Sequence, residues 1–261
     1  MGELRLKEPV VIIGIGEIGG VFARGFLRAG YPVCPITRGM NLQQCAEEMP
    51  EPLLVLVAVG ERNLPVVLEQ MPAAWRQRLV LLQNELLPRD WQQHGLSNPT
   101  VISIWYEKKP GTDVQVHVPS PVFGHHSRYL IDALQALNIP VRELGTEEEL
   151  IFELVRKNLY ILTTNIAGLR VGGDVGTLWK EYQPLARAVA SEVLAILAHL
   201  TGAELNHQRL IDAMVAAIKG YPQHQCLGRN ALVRLERALK IAQSGGIDVP
   251  TMRRIHVETG G

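Results

Sequence analysis

Apolar residues recur along this chain with two different periods. Up to about residue 145 they come in short unbroken runs separated by amphipathic stretches. Val10, Val11, Ile12 and Ile13 make the first run, residues 53–59 make another, and the segment 79–84 opens on a third. Unbroken runs of this length, bounded by glycine or polar residues, predict strands buried on both faces, as in a parallel sheet. Residues 32–37, 101–105 and 114–118 predict further strands. The last follows a short connection through Pro110 and Gly111, which allows it to run antiparallel. Helical spacing up to Leu27, over 64–71, and over 127–137 with Ser127 as N-cap fills the gaps, and a strand near Val141 closes the series. Strand and helix in alternation predict a doubly wound α/β sheet.

From residue 146 the period is helical and strand signals vanish. Thr146-Glu147-Glu148-Glu149 reads as a capping box, with Thr146 as N-cap and Glu149 at N3. A long helix is expected to about residue 169, broken by Gly172-Gly173. Further helices are expected near 182–201, 206–219 and 230–243, with a short turn over 251–257 after Pro250. The pattern therefore predicts an α/β domain over 1–145 and an all-helical domain over 146–261.

The first strand runs straight into Gly14-Ile15-Gly16-Glu17-Ile18-Gly19, and a helix follows. Strand, GxGxxG and helix in that order form the dinucleotide-binding fingerprint of a Rossmann domain. Gly14 permits the tight turn, Gly16 lets the backbone approach a pyrophosphate, and Gly19 lets helix and strand pack closely. The helix N-terminus offers free N–H groups and the positive end of its dipole. Glu17 is expected to point to solvent, away from the phosphates. An NAD site usually carries a carboxylate at the end of the second strand, to accept from the ribose 2′-OH. Thr37-Arg38 stands there instead. A guanidinium can pair a 2′-phosphate bidentately, so the expected cofactor is NADPH.

Composition narrows the remaining classes. Apolar residues make up 47% of the 261 positions, charged residues 20%, and the formal net charge is zero. Zero charge gives no support for nucleic-acid or anionic-membrane binding. No apolar run approaches the roughly 20 residues of a membrane span. The charged stretch before the first strand does not read as a signal peptide. Cys34, Cys45 and Cys226 lack metal-ligand spacing, so a reduced, cytoplasmic protein without a bound metal is expected. Adjacent His125 and His126 are expected in a loop.

Lys157 is the candidate for proton chemistry. It lies two turns into the long helix among apolar Leu154, Ile161 and Leu162. Partial desolvation there would lower its pKa into a range useful for proton transfer. Asn165 is eight residues on, about 12 Å along a helix axis.

Together these motifs resemble the ketopantoate reductase family, within the group similar in architecture to 6-phosphogluconate dehydrogenase. The glycine loop and Arg38 match in order. Leu82-Gln83-Asn84 resembles the family's strand ending in a Gln/His-Asn pair. Glu153 through Lys157 to Asn165 resembles its lysine helix, Gly176-Thr177-Leu178 its Gly-x-Leu turn, and Gly246-Ile247-Asp248-Val249-Pro250 its exit from the last helix. The resemblance implies NADPH-dependent reduction of a small 2-oxo acid. Lys157 would protonate the substrate carbonyl oxygen, Asn84 would help hold nicotinamide and substrate, and Asn165 would bind the substrate. The chain departs from the family at Ile161, Val175 and Asn230, where the family carries asparagine, asparagine and a substrate-binding glutamate. Val59 stands where it carries a lysine beside the cofactor. Losing such contacts should change the preferred substrate. The rival reading is an NADP(H)-binding protein with little or no catalysis, in a redox-sensing or assembly role. The sequence leaves the oligomer, a homodimer included, open.

Overall fold

The computed structural model describes residues 7–260; residues 1–6, the charged stretch ahead of the first strand, and residue 261 lie outside the described residues. The chain divides into two compact units, Met1–Ile151 and Phe152–Gly261.

The first unit is built on a seven-stranded sheet. Its elements in chain order are β1 (Val10–Ile13), α1 (Glu17–Arg28), β2 (Val33–Ile36), α2 (Leu42–Glu48), β3 (Leu54–Val57), α3 (Leu64–Glu69) and β4 (Leu79–Leu81). Then come α4 (Pro88–Gln92), β5 (Thr100–Ile102), β6 (Tyr106–Glu107), β7 (Gln115–Val116), β8 (Ser120–Phe123), α5 (Ser127–Gln135) and β9 (Val141–Glu143). The strands lie in the order β2-β1-β3-β4-β5-β8-β9. The first five strands of the chain pair in parallel, and β8 is antiparallel to β5. Every residue of β1 and β3 is buried, as unbroken apolar runs require of strands covered on both faces. On one face α1 and α5 pack together over Val10, Ile12, Leu54, Leu56, Val80 and Ile102. Gly25 allows that close approach, since a Cβ there would overlap the Ala133 carbonyl oxygen.

Several expectations need correction. Residues 114–118 do not join the sheet. β7 pairs with β6 in a separate antiparallel hairpin, and the sheet's antiparallel member is β8, which the sequence reading missed. Pro121 and Ser120 obscured β8, although Ser103 N–H donates to the Pro121 carbonyl and β8 goes on to pair in parallel with β9. Ser127 is not an N-cap: the helix already begins there, and its hydroxyl donates to the Glu143 carboxylate. Helix α2 was also missed, although Asn41 caps it by accepting from the N–H groups of Gln43 and Gln44.

α6 (Glu147–Val171) begins before the division between the units and continues into the second. Thr146 accepts from the Glu149 N–H at 3.2 Å, as a capping residue should, whereas the Glu149 carboxylate reaches Gly145 N–H. The second unit then adds α7 (Val175–Glu181), α8 (Gln183–Thr201), α9 (His207–Gly220), α10 (Ala231–Ser244) and α11 (Pro250–Glu258). α7 replaces the expected turn, because Asp174 accepts from Thr177 N–H and starts a helix. The expected short final turn is the nine-residue helix α11.

The 19 residues of α8 are long and apolar enough to cross a membrane by length and composition, although Arg187 and Glu192 interrupt the apolar run. In the fold it packs against α7, α9, α10 and α11. Its buried Glu192 accepts from the N–H groups of Thr251 and Met252 at 2.7 and 2.9 Å and so caps α11. That bond pair pins the last helix onto the unit's core.

Candidate functional site

Within the first unit, the carboxyl ends of the parallel strands gather most of the expected cofactor residues at one edge. Gly14 follows β1, Thr37 follows β2, Ala58-Val59 follow β3, and Asn84 comes soon after β4. The strand order reverses between β1 and β3, which makes this edge a topological switch point, the usual ligand position in such sheets. The loop is held at both sides. Gly14 N–H donates to the Ile36 carbonyl at 2.9 Å, and Ala58 N–H donates to Ile13 at 2.8 Å.

The three glycines divide their work as the fingerprint demands. Gly14 has φ of 96°, and a Cβ there would lie 2.8 Å from the Ala58 carbonyl oxygen. A Cβ on Gly19 would overlap the Gly14 carbonyl oxygen, so α1 can only start this close to β1 with glycine there. A Cβ on Gly16 would meet nothing. Open space over Gly16 is where a diphosphate can approach the backbone. Gly16 itself occupies the N-cap position of α1 and supplies no side-chain cap, so the first N–H groups remain for an anion. Ile15 is exposed and Ile18 half-buried beside the loop. These residues fit a dinucleotide.

Glu17 is exposed, as expected, and it is also neutralised: its carboxylate pairs with Lys108 at 3.1 Å. The lysine was not foreseen, because it lies on the β6–β7 connection, far away in sequence. Thr37 and Arg38 sit in an exposed turn after β2, and Arg38 makes no hydrogen bond or ion pair among the described residues. Gln83 ties the ends of two strands, donating to the carbonyls of Val57 and Val59 at 2.6 and 3.2 Å. Asn84 is thereby presented on the exposed side of that edge. Glu85 follows in the left-handed region at φ 60°, a conformation that costs a non-glycine residue about 1–2 kcal/mol.

Within the second unit, α6 carries Lys157 and Asn165. Burial, together with the charges of Arg156 and Arg234, lowers the Lys157 pKa from 10.5 to about 7. The direction is the one anticipated from its apolar neighbours, and Leu154 and Ile161 are indeed buried. Arg156 is held in turn by the buried Glu153 at 3.1 Å and by the Ala213 carbonyl at 3.0 Å.

Asn165 is buried and engaged at both ends of its amide. It donates to the Cys226 carbonyl at 2.9 Å and accepts from Arg234 Nη1 at 2.9 Å. Arg234 was missed, although a signal existed. It lies on the face of α10 that buries Ala231, Leu235, Ala238 and Ala242, where helical spacing calls for an apolar residue. Asn230 occupies the N-cap position of α10, half-buried, and does not cap it with its side chain. Ile161 and Val175 are buried.

The connector between α9 and α10 is fixed against α6 and α7. Cys226 N–H donates to Gly173, Val175 N–H to His224, and Gly176 N–H to Pro222. Gly168 admits the connector, since a Cβ there would lie 2.6 Å from the Cys226 side chain. This places His224 against Tyr160, one turn beyond Lys157, with the phenol oxygen 2.8 Å from Nδ1 and the rings stacked. Burial first, and then Asp174, push the Cys226 thiol up to about 12, which removes it as a nucleophile.

No sequence-family model and no curated protein sequence matches this chain. Solved structures do. A PanE/ApbA family ketopantoate reductase from Ralstonia eutropha JMP134 superimposes with a TM-score of 0.66 at 17% identity, over 96% of this chain and 97% of that one. A probable 2-dehydropantoate 2-reductase from Bacillus subtilis gives 0.68 at 15% identity, over 96% and 98%. D-mandelate dehydrogenase in complex with NADH gives 0.66 at 13% identity, over 96% and 97%. Identities this low speak to architecture alone: the chain has the fold of the ketopantoate reductases, a mostly parallel Rossmann-type sheet followed by a helical region.

Proposed function

We propose that the chain is an NADPH-dependent reductase of a small 2-oxo acid, acting in the cytoplasm. The observation that carries the reading is Lys157, a desolvated lysine whose pKa of about 7 leaves ammonium and amine comparably populated at neutral pH. The glycine cradle and Arg38 supply the cofactor half of the argument. The solved structures sharing the fold are described as ketopantoate and mandelate oxidoreductases, which agrees with this chemistry class.

The cofactor's nicotinamide supplies the hydride chemistry when bound. Gly14, Gly16, Gly19 and the α1 N-terminus would hold the diphosphate, and Arg38 the 2′-phosphate. Lys157 would donate a proton to the carbonyl oxygen, where negative charge grows as reduction proceeds. Buried Ile161 and Val175 make the surroundings less polar than in the resembling family, so the expected substrate is a 2-oxo acid with an apolar tail rather than a hydroxylated one.

The test is NADPH oxidation across a panel of 2-oxo acids. Lys157→Ala should lower turnover about 10²–10⁴-fold with NADPH affinity retained. The same two apolar residues favour a second reading, a cofactor-binding protein without turnover. Tight NADPH binding with no substrate reduced anywhere in the panel would select it.

A further inference from the structure

The β6–β7 hairpin stands outside the seven-stranded sheet and forms a two-stranded sheet of its own. Its root is fixed in the core of the first unit. Tyr106 is buried in the same cluster as Val21, Phe22 and Phe26 of α1, and Val114 and Val116 pack against that cluster. At the base, His117 N–H donates to the Trp105 carbonyl and Trp105 N–H to the Ser120 hydroxyl, each at 2.9 Å. A hairpin rooted in this way brings Lys108 to the first residue of α1. The Lys108 ammonium lies 3.1 Å from the Glu17 carboxylate and also donates to the Lys109 carbonyl at 2.7 Å. The carboxylate next to it in the chain, Glu107, is engaged by Lys109 at 3.0 Å and does not draw Lys108 away. The Lys108 side chain is only 17% exposed, against 42% for Glu17.

Glu17 follows Gly16 directly and opens α1. A carboxylate at that position suits the helix dipole, but it competes with a diphosphate for the same positive end. Left bare, its charge would repel an incoming diphosphate. We propose that Lys108 is a positioning residue for the dinucleotide: its ion pair engages the Glu17 carboxylate, cancels its charge, and so keeps the α1 N-terminus available to the diphosphate. The inference rests on the dinucleotide reading of the glycine loop and adds a residue from a separate element that governs the loop's affinity. Fold stability does not account for the pair, because ion pairs with an exposed partner contribute little to folding. The diphosphate is common to NADPH and NADH. Lys108 therefore sets affinity without choosing between them, whereas Arg38 acts on the 2′-phosphate alone.

The experiment is fluorescence titration of the full chain with NADPH and with NADH. It is run in about 0.01 M and about 1 M salt, where the screening length falls from about 30 Å to about 3 Å. At low salt Lys108→Met should weaken both cofactors by the same factor, about threefold to tenfold. Lys108→Arg should bind like wild type. Glu17→Gln should bind at least as tightly as wild type, and Glu17→Gln combined with Lys108→Met should recover most of the loss. At high salt the ratio of wild type to Lys108→Met should approach one. Recovery in the double variant and disappearance of the defect in salt are effects that a merely structural role of Lys108 would not produce. Lys108→Gln takes the place of Lys108→Met if the latter does not fold. Equal binding by wild type and Lys108→Met at low salt, or a double variant as weak as Lys108→Met alone, would overturn the inference and leave the dinucleotide reading standing. A wild type that binds neither cofactor would overturn the dinucleotide reading and the inference with it.

Discussion

Replacing Lys157 with methionine isolates the electrostatic state of the helical unit from any assumption about activity. Methionine keeps the length of the side chain and discards its charge, and swaps of similar volume usually cost under about 1.5 kcal/mol in packing. The lysine pKa falls from 10.5 in the unfolded chain to about 7 in the fold. Below about 7 both states hold the proton, and the full cost of keeping an ammonium in this site is present. Between 7 and 10.5 the unfolded chain binds a proton that the folded one has released, so wild-type stability rises with pH across that window. The drop corresponds to an upper limit of about 5 kcal/mol at ~1.36 kcal/mol per tenfold change in proton affinity. Lys157 is half-buried rather than sealed, so screening reduces this to about 2–3 kcal/mol. Lys157→Met should therefore be about 2–3 kcal/mol more stable than wild type at pH 7, with the gain shrinking toward zero by pH 10.5. Urea melts followed by far-UV circular dichroism at several pH values give the comparison directly. A variant no more stable than wild type at pH 7, or a difference that does not change with pH, would refute the account of Lys157.

Other expectations test the remaining parts. NADPH should bind at least tenfold tighter than NADH, because a charge-assisted contact from Arg38 is worth about 1.5–3 kcal/mol; Arg38→Ala should erase most of that preference in fluorescence titrations. Gly16→Val should abolish nucleotide binding and leave the melting temperature nearly unchanged, since its Cβ would enter open space. Gly19→Ala should instead destabilise the first unit by several kcal/mol, because the new methyl overlaps the Gly14 carbonyl; a thermal melt distinguishes the two. Glu192→Ala should cost about 2–4 kcal/mol by stripping two buried N–H groups of their acceptor, and hydrogen exchange should show α11 opening first.

Much of the first unit was legible in the chain because its signals are local. An unbroken apolar run states that a strand is covered on both faces, whatever covers it. GxGxxG between a strand and a helix states a backbone requirement, and the contacts at Gly14, Gly16 and Gly19 meet it one residue at a time. The capping residue Thr146 follows from near neighbours, and so does the direction of the Lys157 shift, although Arg234 from α10 adds to it. What failed had partners far along the chain. β8 is a strand because β5 and β9 flank it, not because Ser120-Pro121-Val122-Phe123 looks like one. Glu17 is neutral in effect because the β6–β7 connection delivers Lys108 to it.

The helical unit shows the same division more sharply. Periodicity located most of its helices, since each must bury one stripe, but a stripe does not say which helix it meets. The resemblance implied a substrate role for Asn165, and its helix alone does not reveal that Arg234, 69 residues later, donates to its oxygen. The arginine's break in the apolar face of α10 was visible in the sequence, yet its meaning required the packed partner. Local backbone chemistry is written in the order of residues, whereas the pairing of charges depends on which surfaces the hydrophobic core presses together.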